Sequence, residues 1–487
     1  MAAESRLFID GELATAASGH VYANIDPVTE GVIGEVADAG PVDMDRAIAA
    51  ARRAFDTGTW SADHEFRHHC IQQLRDGLLN HMDELKQQIA AETGSPMALC
   101  GAQGPQCEIP ISFIDYTLQT LPGFNWCKDI GVAEIMGMKS RRYVQKEAVG
   151  VVACITPWNV PLQINLAKCI PALAAGCTVV LKAAPETPWS ATLLGRIVKE
   201  STDIPPGVFN VITAQDPREV GDQLVSDPRV DMVSFTGSTA VGKHIMATAA
   251  QTVKKVFLEL GGKSASLILD DANLEQSLLS ALGVCFHAGQ GCAIQTRLLI
   301  PCSRQLEVEA LLKTYFGLIE YGDPQAAGQI MGPVISASQR ERVLSYIEKG
   351  KAEGARLLLG GGVPAHMSSG YYIEPTVFVD VTNDMVIARE EIFGPVLAVI
   401  AYKDEEEAVS IANDSDFGLS AAVWSASEGR ALAVARRLRC GTVNVNGGNF
   451  YGADAPFGGY KQSGLGREMG PEGFAEYLET KTIAVGV

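Results

Sequence analysis

The sequence of 487 residues lacks the features that mark several protein classes. It has no Cys-x-x-Cys pair, its eleven cysteines are scattered, and no apolar run reaches the length of a transmembrane helix. It has no run of five or more basic residues, and 57 acidic against 39 basic side chains give a net charge of −18. Such a surface repels phosphates and anionic lipids, so we expect neither a nucleic acid nor a membrane as partner.

Two further absences concern compartment and metals. The first eleven residues lack the apolar and basic segments of a secretory signal, so we expect the reducing cytoplasm, where scattered cysteines remain thiols. His244 and His287 stand apart from other ligand-type residues in the sequence, so we expect structural roles for them and no metal.

What the sequence does contain is a regular alternation of short apolar runs and helical patterns after Gly150. Predicted strands lie at 151–155, 178–181, 208–213, 232–235, 256–258 and 266–269, and a second series after Cys292 lies at 297–300, 376–379, 396–401, 421–424 and 442–446. Continuous apolar strands between helices are typical of α/β folds with a parallel sheet covered on both faces. Helices are predicted at 44–55 and 65–93, a projecting hairpin at 125–145, and a last strand at 480–485.

Polar residues follow three of the predicted strands, where open parallel sheets bind ligands. Asn159 is either a turn residue or an amide donor to a developing oxyanion. Lys182 is either a lysine that reaches solvent or a hydrogen-bond donor to a nucleotide. The stretch 237–242 places glycines and Ser238 at a helix start that suits a phosphate, although its spacing is not Gly-x-Gly-x-x-Gly.

Cys292 and Glu259 indicate covalent chemistry. Cys292 follows Gly-Gln-Gly, so its sulfur is open to attack a substrate, although most cysteines in apolar runs are small core residues. Glu259 lies between two leucines, where an ionised carboxylate is costly without a partner or a role as general base. A thiol with a separate carboxylate suggests a thioester that is then hydrolysed.

Six motifs together resemble the aldehyde dehydrogenase superfamily. They are Thr-Pro-Trp-Asn at 156–159, Phe-Thr-Gly-Ser at 235–238, Leu-Glu-Leu-Gly-Gly-Lys at 258–263, Gly-Gln-Gly-Cys at 289–292, Glu-Glu-Ile-Phe-Gly-Pro at 390–395 and Pro-Phe-Gly-Gly-Tyr-Lys-x-Ser-Gly at 456–464. Their order and spacing match the superfamily from about residue 7 to residue 482.

The resemblance implies a role for each matched residue. Cys292 attacks the aldehyde, the Asn159 side chain and the Cys292 backbone N–H hold the oxyanion, and hydride passes to a nicotinamide. Glu259 then activates water, and Lys168 and Glu468 match positions that relay its proton. The matched cofactor-binding positions are Thr156, Trp158, Asn159, Lys182, Glu186, Gly237, Ser238, Gly261, Glu391 and Phe393, and the matched substrate tunnel is Val160, Ile164, Phe286, Tyr451 and Phe457.

The resemblance also implies an architecture. It predicts a Rossmann-like parallel-sheet cofactor domain at 1–124 and 146–258 and an α/β catalytic domain at 259–455. Residues 125–145 and 470–487 would be oligomerisation elements of a homodimer or homotetramer.

One departure concerns the cofactor. Where the family often has a glutamate that holds the adenosine ribose, this chain has Pro185, and Glu186 comes one position later. If Glu186 takes that place NAD is preferred, which is our expectation; if it does not, NADP is possible. The apolar tunnel predicts an uncharged hydrophobic aldehyde, aliphatic or aromatic, as the small-molecule substrate.

Three alternative functions compete with aldehyde oxidation to the acid. A CoA-acylating aldehyde dehydrogenase would share the fold, but the water-activating Glu259 argues against it. A non-catalytic binding or structural protein would have no need of Cys292, Glu259 and Asn159 together. A cysteine hydrolase needs a histidine beside Cys292, and none is evident in the sequence.

Overall fold

The structure, a computed structural model, describes residues 3–101, 104–326 and 328–487. Within them the first sheet has eight strands. In spatial order these are Glu12–Ala14, Leu7–Ile9, Phe209–Ile212, Thr178–Lys182, Val151–Ile155, Met232–Thr236, Lys255–Glu259 and Gly464–Leu465. The five strands from Phe209–Ile212 to Lys255–Glu259 are parallel, as the apolar runs predicted.

The register of these strands gathers their polar ends. Ile155 pairs with Lys182, Phe235 pairs with Ile155, and Thr236 pairs with Glu259. The carboxyl ends of four neighbouring strands therefore lie along one edge of the sheet, which is where a ligand site is expected.

The second sheet has seven strands among the described residues. Their spatial order is Arg356–Leu359, Thr376–Val379, Val396–Tyr402, Gln295–Pro301, Ser264–Ile268, Ser420–Trp424 and Thr442–Val445, and all but the first are parallel. The sequence pattern had placed the strand at 266–269 in the series that precedes Cys292, and this was wrong. Ser264–Ile268 pairs with Gln295–Pro301 on one side and Ser420–Trp424 on the other, and both of these strands come after Cys292.

A three-stranded antiparallel sheet contains the predicted hairpin and the C-terminal strand. Cys127–Ile135 pairs with Met138–Ala148, and Leu478–Gly486 pairs with the other edge of Met138–Ala148. Two small antiparallel pairs complete the strands: Val21–Ile25 with Val32–Ala37, and Phe417–Gly418 with Tyr460–Lys461.

The helices cover the sheets. The α-helices are Pro41–Thr57, His64–Asn80, Met82–Thr93, Met97–Cys100, Ile111–Thr120, Pro161–Ala175, Trp189–Ser201, Pro217–Ser226, Thr239–Ala249, Leu274–Ser277, Gln305–Phe316, Ala337–Ala352, Val386–Arg389, Glu405–Asn413, Glu428–Ala435 and Gly470–Glu476. The 3₁₀ segments are Leu121–Gly123, Ala250–Thr252, Leu278–Gly289 and Cys302–Arg304. The single helix predicted at 65–93 is two, because His81 leaves the helical region (ψ 14°) and ends one helix as it begins the next.

The core lies on both faces of the first sheet. Along one strand Val152 and Cys154 belong to one apolar cluster, whereas Val151, Ala153 and Ile155 belong to another. Both clusters are buried, so consecutive strand residues are apolar. This double coverage makes the polar residues at the strand ends stand out in the sequence.

Candidate active site

Cys292 follows a sharply bent segment. The 3₁₀ segment Leu278–Gly289 ends with positive φ at His287 (49°), Ala288 (52°) and Gly289 (75°). A Cβ on Gly289 would lie 2.1 Å from the Gly394 carbonyl oxygen, so this position requires glycine. The bend brings half-buried Cys292 to the floor of a cleft.

Glu259 ends the strand Lys255–Glu259 and is 2% exposed. Its Oε1 has no hydrogen-bond partner among the described residues. Burial, and then the nearby Glu468 carboxylate, raises the pKa of Glu259 to about 8, while Lys168 acts in the opposite direction. A carboxyl with this pKa takes up and releases a proton near neutral pH, as a general base must.

Cys292 and Glu259 line the same cleft and perturb each other. Burial, followed by the charges of Glu259 and Glu391, raises the pKa of the Cys292 thiol well above its usual range. The thiol is therefore protonated at neutral pH unless another group takes its proton.

Asn159 lies in the loop after the strand Val151–Ile155 and is 4% exposed. Its Nδ2 donates to the Gln290 carbonyl oxygen at 2.9 Å, which uses one of the two amide hydrogens, and the residue lines the cleft. The alternative of an ordinary turn residue does not explain this burial. A fixed amide next to Cys292 suits an oxyanion donor.

Lys168 and Glu468 form a buried ion pair behind Glu259. Lys168 Nζ lies 3.0 Å from Glu468 Oε1, and the side chains are 0% and 6% exposed. Both charges act on the pKa of Glu259. The helix Pro161–Ala175 supplies the lysine, so the fold joins residues that are far apart in the chain.

Two connected clefts run along the carboxyl edge of the first sheet. The inner cleft contains Cys292, Glu259 and Asn159, and its wall includes Trp158, Gly237, Ser238, Gly261, Glu391 and Phe393. The outer cleft is lined by Thr156, Lys182 and Glu186, and Trp158 and Gly237 line both. Every residue predicted to bind a cofactor therefore lines at least one of these two adjoining clefts.

Lys182 and Glu186 both line the outer cleft, and the charge of each acts on the pKa of the other. Burial lowers the pKa of Lys182 to about 8, with Glu186 acting in the opposite direction. Burial also raises the pKa of Glu186, and Lys182 lowers it. The Lys182 ammonium and the Glu186 carboxylate thus each favour the charged form of the other, at the edge of a large cavity.

Comparison with known proteins identifies the chain. The family model described as "Aldehyde dehydrogenase family" matches residues 14–483. The chain belongs to the aldehyde dehydrogenase family. It is 43% identical to a 3-succinoylsemialdehyde-pyridine dehydrogenase of a Pseudomonas species, over 98% of this chain and 97% of that one.

Two solved aldehyde dehydrogenases have the same fold as this chain. One is betaine aldehyde dehydrogenase of Staphylococcus aureus with NAD+, at 38% identity and a TM-score of 0.95, covering 99% of this chain and 95% of that one. The other is a cysteine-to-alanine mutant of aldehyde dehydrogenase C of Pseudomonas syringae with NAD+ and octanal, at 40% identity and a TM-score of 0.92, covering 99% and 96%. The α/β fold expected from the motifs is confirmed.

Within this aldehyde dehydrogenase an aromatic cluster adjoins Cys292. Tyr451 and Phe457 pack edge to face with ring centres 6.0 Å apart, in an apolar cluster against which Cys292 packs. Ile164 lines the inner cleft and is 6% exposed. Val160 is half-buried before the helix Pro161–Ala175, and Phe286 is 44% exposed at the bend.

Several residues in or beside the inner cleft were missed by the sequence analysis. Gln339 and Arg342 come from the helix Ala337–Ala352 and donate to the Phe393 and Glu391 carbonyl oxygens at 2.7 and 2.8 Å. Phe113, from the helix Ile111–Thr120, packs in the same apolar cluster as Phe457. These residues lie in amphipathic helices whose pattern is that of any surface helix, so no local signal marked them.

The remaining expected absences concern metals and membranes. In the described ranges, histidine, cysteine and acidic side chains do not gather into a group able to hold a metal ion. No helix within 3–101, 104–326 and 328–487 has the length and apolar character needed to cross a bilayer.

Proposed function

We propose that this aldehyde dehydrogenase oxidises a hydrophobic aldehyde to the carboxylic acid through a thioester on Cys292. The observation that carries the proposal is the pairing of Cys292 with Glu259 in one cleft. Glu259 is almost fully buried and its pKa of about 8 suits a base that works at neutral pH. Water activation by Glu259 favours hydrolysis over transfer of the acyl group to CoA.

The clefts suit a nicotinamide dinucleotide. Thr236 lines both clefts, and its buried Oγ1 has no hydrogen-bond partner among the described residues. Ser238 caps the eleven-residue helix Thr239–Ala249, whose free N–H groups suit a phosphate. A Cβ on Gly261 would lie 2.1 Å from Glu391 Oε2, so only glycine lets the Glu391 carboxyl lie this close to the backbone of the cleft wall. When bound, the nicotinamide supplies the acceptor for the hydride.

Cys292 and Asn159 carry out the acylation half of the proposed reaction. Cys292 Sγ forms the bond to the aldehyde carbon after its proton passes to a nearby base. The carbonyl oxygen becomes an oxyanion, which the Asn159 amide and the Cys292 backbone N–H stabilise by hydrogen bonds. The aldehyde C–H bond then breaks with loss of hydride, which leaves a thioester on Cys292.

Glu259 completes the cycle in this proposal. It takes a proton from water, the resulting hydroxide attacks the thioester carbon, and the C–S bond breaks to release the acid and the thiolate. The buried Lys168–Glu468 pair acts on this carboxyl with opposite signs: the Glu468 charge raises the pKa of Glu259 and favours uptake of the proton, whereas the Lys168 charge lowers it and favours release.

Replacement of Asn159 by alanine is expected to lower kcat by about 10²–10³-fold, the usual cost of one lost oxyanion donor. The KM for the cofactor should change little, since the amide donates near the reacting carbon. Steady-state kinetics with a saturating aldehyde would measure the loss. A kcat within about twofold of the wild type would remove Asn159 from the oxyanion site.

We propose NAD as the preferred cofactor because Glu186 lines the outer cleft beside Lys182. A carboxylate there repels the 2′-phosphate of NADP and can accept from ribose hydroxyls. Glu186→Gln should therefore raise kcat/KM for NADP by about tenfold, the effect of removing one partly screened charge. Measuring kcat/KM for both cofactors checks it, and an unchanged NADP value would place the adenosine ribose elsewhere.

The substrate we propose is uncharged and hydrophobic, aliphatic or aromatic. Ile164, Tyr451, Phe457 and Phe113 supply apolar surface near Cys292. The bound octanal of the Pseudomonas syringae relative is such an aldehyde. The Pseudomonas relative is named for a pyridine semialdehyde, and a pyridine ring is aromatic.

The test is an assay of purified protein with NAD or NADP and a panel of aldehydes of rising length and aromaticity, in which absorbance of the reduced cofactor is followed. We expect turnover that rises with the apolar size of the aldehyde. A parallel reaction with CoA should give free acid and no acyl-CoA. Acyl-CoA as the main product would support the acylating enzyme, and no cofactor reduction with any aldehyde would support a non-catalytic protein.

We propose further that the protein is a cytoplasmic homodimer or homotetramer. The sheet of Cys127–Ile135, Met138–Ala148 and Leu478–Gly486 exposes apolar side chains, among them Val132, Met138 and Val485. The boundaries 1–124 and 146–258, 259–455, and 125–145 and 470–487 remain our proposed division into cofactor-binding, catalytic and oligomerisation parts. Mass measurement of the protein in solution by light scattering would test the assembly.

A further inference from the structure

A ring of buried polar groups connects the Asn159 loop with the Cys292 segment. Gln106 Nε2 donates to the Asn159 carbonyl oxygen and to Ser95 Oγ, both at 2.9 Å. Ser95 Oγ lies 2.9 Å from His287 Nδ1. The His287 carbonyl oxygen accepts from Gln290 Nε2 at 3.0 Å, and the Gln290 carbonyl oxygen accepts from Asn159 Nδ2 at 2.9 Å, which closes the ring.

The ring is sealed from water. Gln106, Ser95 and Gln290 are 0% exposed, and Asn159 and His287 are 4% exposed. Hydrogen bonds in such a place have no competing water, and breaking one leaves a buried group unsatisfied. Both hydrogens of the Gln106 amide are used, one on each side of the ring.

The ring holds a strained segment. His287 and Ala288 have φ of 49° and 52°, a region that residues with a Cβ rarely adopt without outside support. The His287 side chain and carbonyl oxygen both belong to the ring. The Gln290 Oε1 also accepts from the Ile335 backbone N–H at 2.9 Å. This contact holds the segment before Cys292 to a residue outside the ring.

The protonation of His287 suits this arrangement. Burial lowers the pKa of His287 to about 4, while the Asn159 backbone carbonyl acts in the opposite direction. The imidazole is therefore neutral at neutral pH, and its Nδ1 can accept the Ser95 hydroxyl hydrogen. The ring then has a donor and an acceptor at each of its contacts.

We propose that Gln106 is a positioning residue for aldehyde oxidation, which sets the distance between the Asn159 amide and Cys292 through Ser95 and His287. The inference rests on the proposed function of Cys292 and Asn159. Gln106 lies in a loop far from both in sequence, and it contacts the Asn159 backbone, not the substrate. A misplacement of about 1 Å in such a pair can cost about 10²-fold in rate.

The test is a double-mutant cycle between Gln106 and Asn159. Gln106→Met keeps the length of the side chain and removes both donated hydrogen bonds. We expect it to lower kcat by about 10–100-fold, with little change in the KM for NAD. In the Asn159→Ala background the same replacement should cost less than about twofold, because the amide that it positions is gone. Equal losses in both backgrounds would overturn the proposal.

A second readout does not need aldehyde turnover. Alkylation of Cys292 by iodoacetamide, measured by peptide mass spectrometry against exposed Cys302, reports the segment itself. Gln106→Met should change the Cys292 rate several-fold and leave Cys302 unchanged, whether or not the protein oxidises aldehydes. An unchanged Cys292 rate would overturn the positioning role, whereas a changed rate in a protein without aldehyde turnover would count against the proposed function alone.

Two further variants separate positioning from general stability. Gln88→Met removes a glutamine amide of similar burial that donates to Glu84 instead of the ring, and it should leave kcat within about twofold. Ser95→Ala cuts the ring on the His287 side and should lower kcat in the same non-additive manner. If Gln106→Met does not fold, Ser95→Ala replaces it in the double-mutant cycle with Asn159→Ala. Additive losses of kcat in that cycle would also overturn the proposal.

Discussion

Replacing Cys292 by alanine is expected to abolish aldehyde oxidation, with kcat falling by on the order of 10⁴-fold or more, as for other lost nucleophiles. Without Sγ no thiohemiacetal or thioester forms, and the oxyanion donors have no intermediate to stabilise. NAD binding should persist, because Trp158, Lys182, Ser238 and Glu391 line the clefts independently of the sulfur. Cofactor reduction and NAD binding by fluorescence or calorimetry would be measured side by side.

A matched control for this variant is Cys440→Ala. Cys440 is also half-buried, and burial raises the pKa of its thiol to about 11. It lies before the strand Thr442–Val445 and lines neither cleft. We expect its replacement to leave kcat within about twofold. Wild-type activity in Cys292→Ala, or a large loss in Cys440→Ala, would contradict the nucleophile that we assign.

The parts of the fold that could be predicted are those with a local cause. Strands such as Val151–Ile155 are apolar at every position because both faces of the sheet are covered, and this is visible in a single sequence. The break at His81 was missed because no proline or glycine marks it. The sheet that receives Ser264–Ile268 was also missed, since strand pairing depends on residues beyond Cys292.

The residues of the candidate site likewise divide into those with a local sequence signal and those without one. Glu259 and Cys292 were found because a carboxylate between leucines and a cysteine among glycines are unusual locally. Gln106 and Arg342 could not be found, since each acts on a backbone carbonyl of a distant loop. The side chains that carry the chemistry are thus visible in the sequence, whereas those that position it depend on tertiary contacts.

Glu259→Gln is expected to separate the two halves of the reaction. Acylation does not need a base for water, so each active subunit should form one equivalent of reduced cofactor. The steady-state rate should then fall by about 10²–10⁴-fold, the contribution of a positioned general base. Rapid-mixing absorbance would show the burst, and mass spectrometry would show the acyl group as added mass on Cys292. A normal steady-state rate would contradict the assigned base.

The control for Glu259→Gln is Glu92→Gln. Glu92 is 0% exposed, and burial raises its pKa to about 8, yet its Oε1 accepts from Asn24 Nδ2 and the Trp189 backbone N–H instead of facing the inner cleft. Glu92→Gln therefore removes a buried carboxylate without removing one from the inner cleft. We expect no burst followed by a stall in Glu92→Gln, so a stall in both variants would assign the effect to general damage.

The pH dependence follows from the same carboxyl. Glu259 is neutral below its pKa of about 8 and acts as a base only when charged. In wild type the steady-state rate should therefore rise about tenfold per pH unit below pH 8 and level off above it, wherever deacylation limits turnover. The burst rate should continue to rise at higher pH, because the pKa of the Cys292 thiol lies well above its usual range. In Glu259→Gln the residual steady-state rate should no longer level off near pH 8, whereas the burst rate should still rise at alkaline pH. A pH profile of the steady-state rate unchanged from wild type would show that a group other than Glu259 titrates.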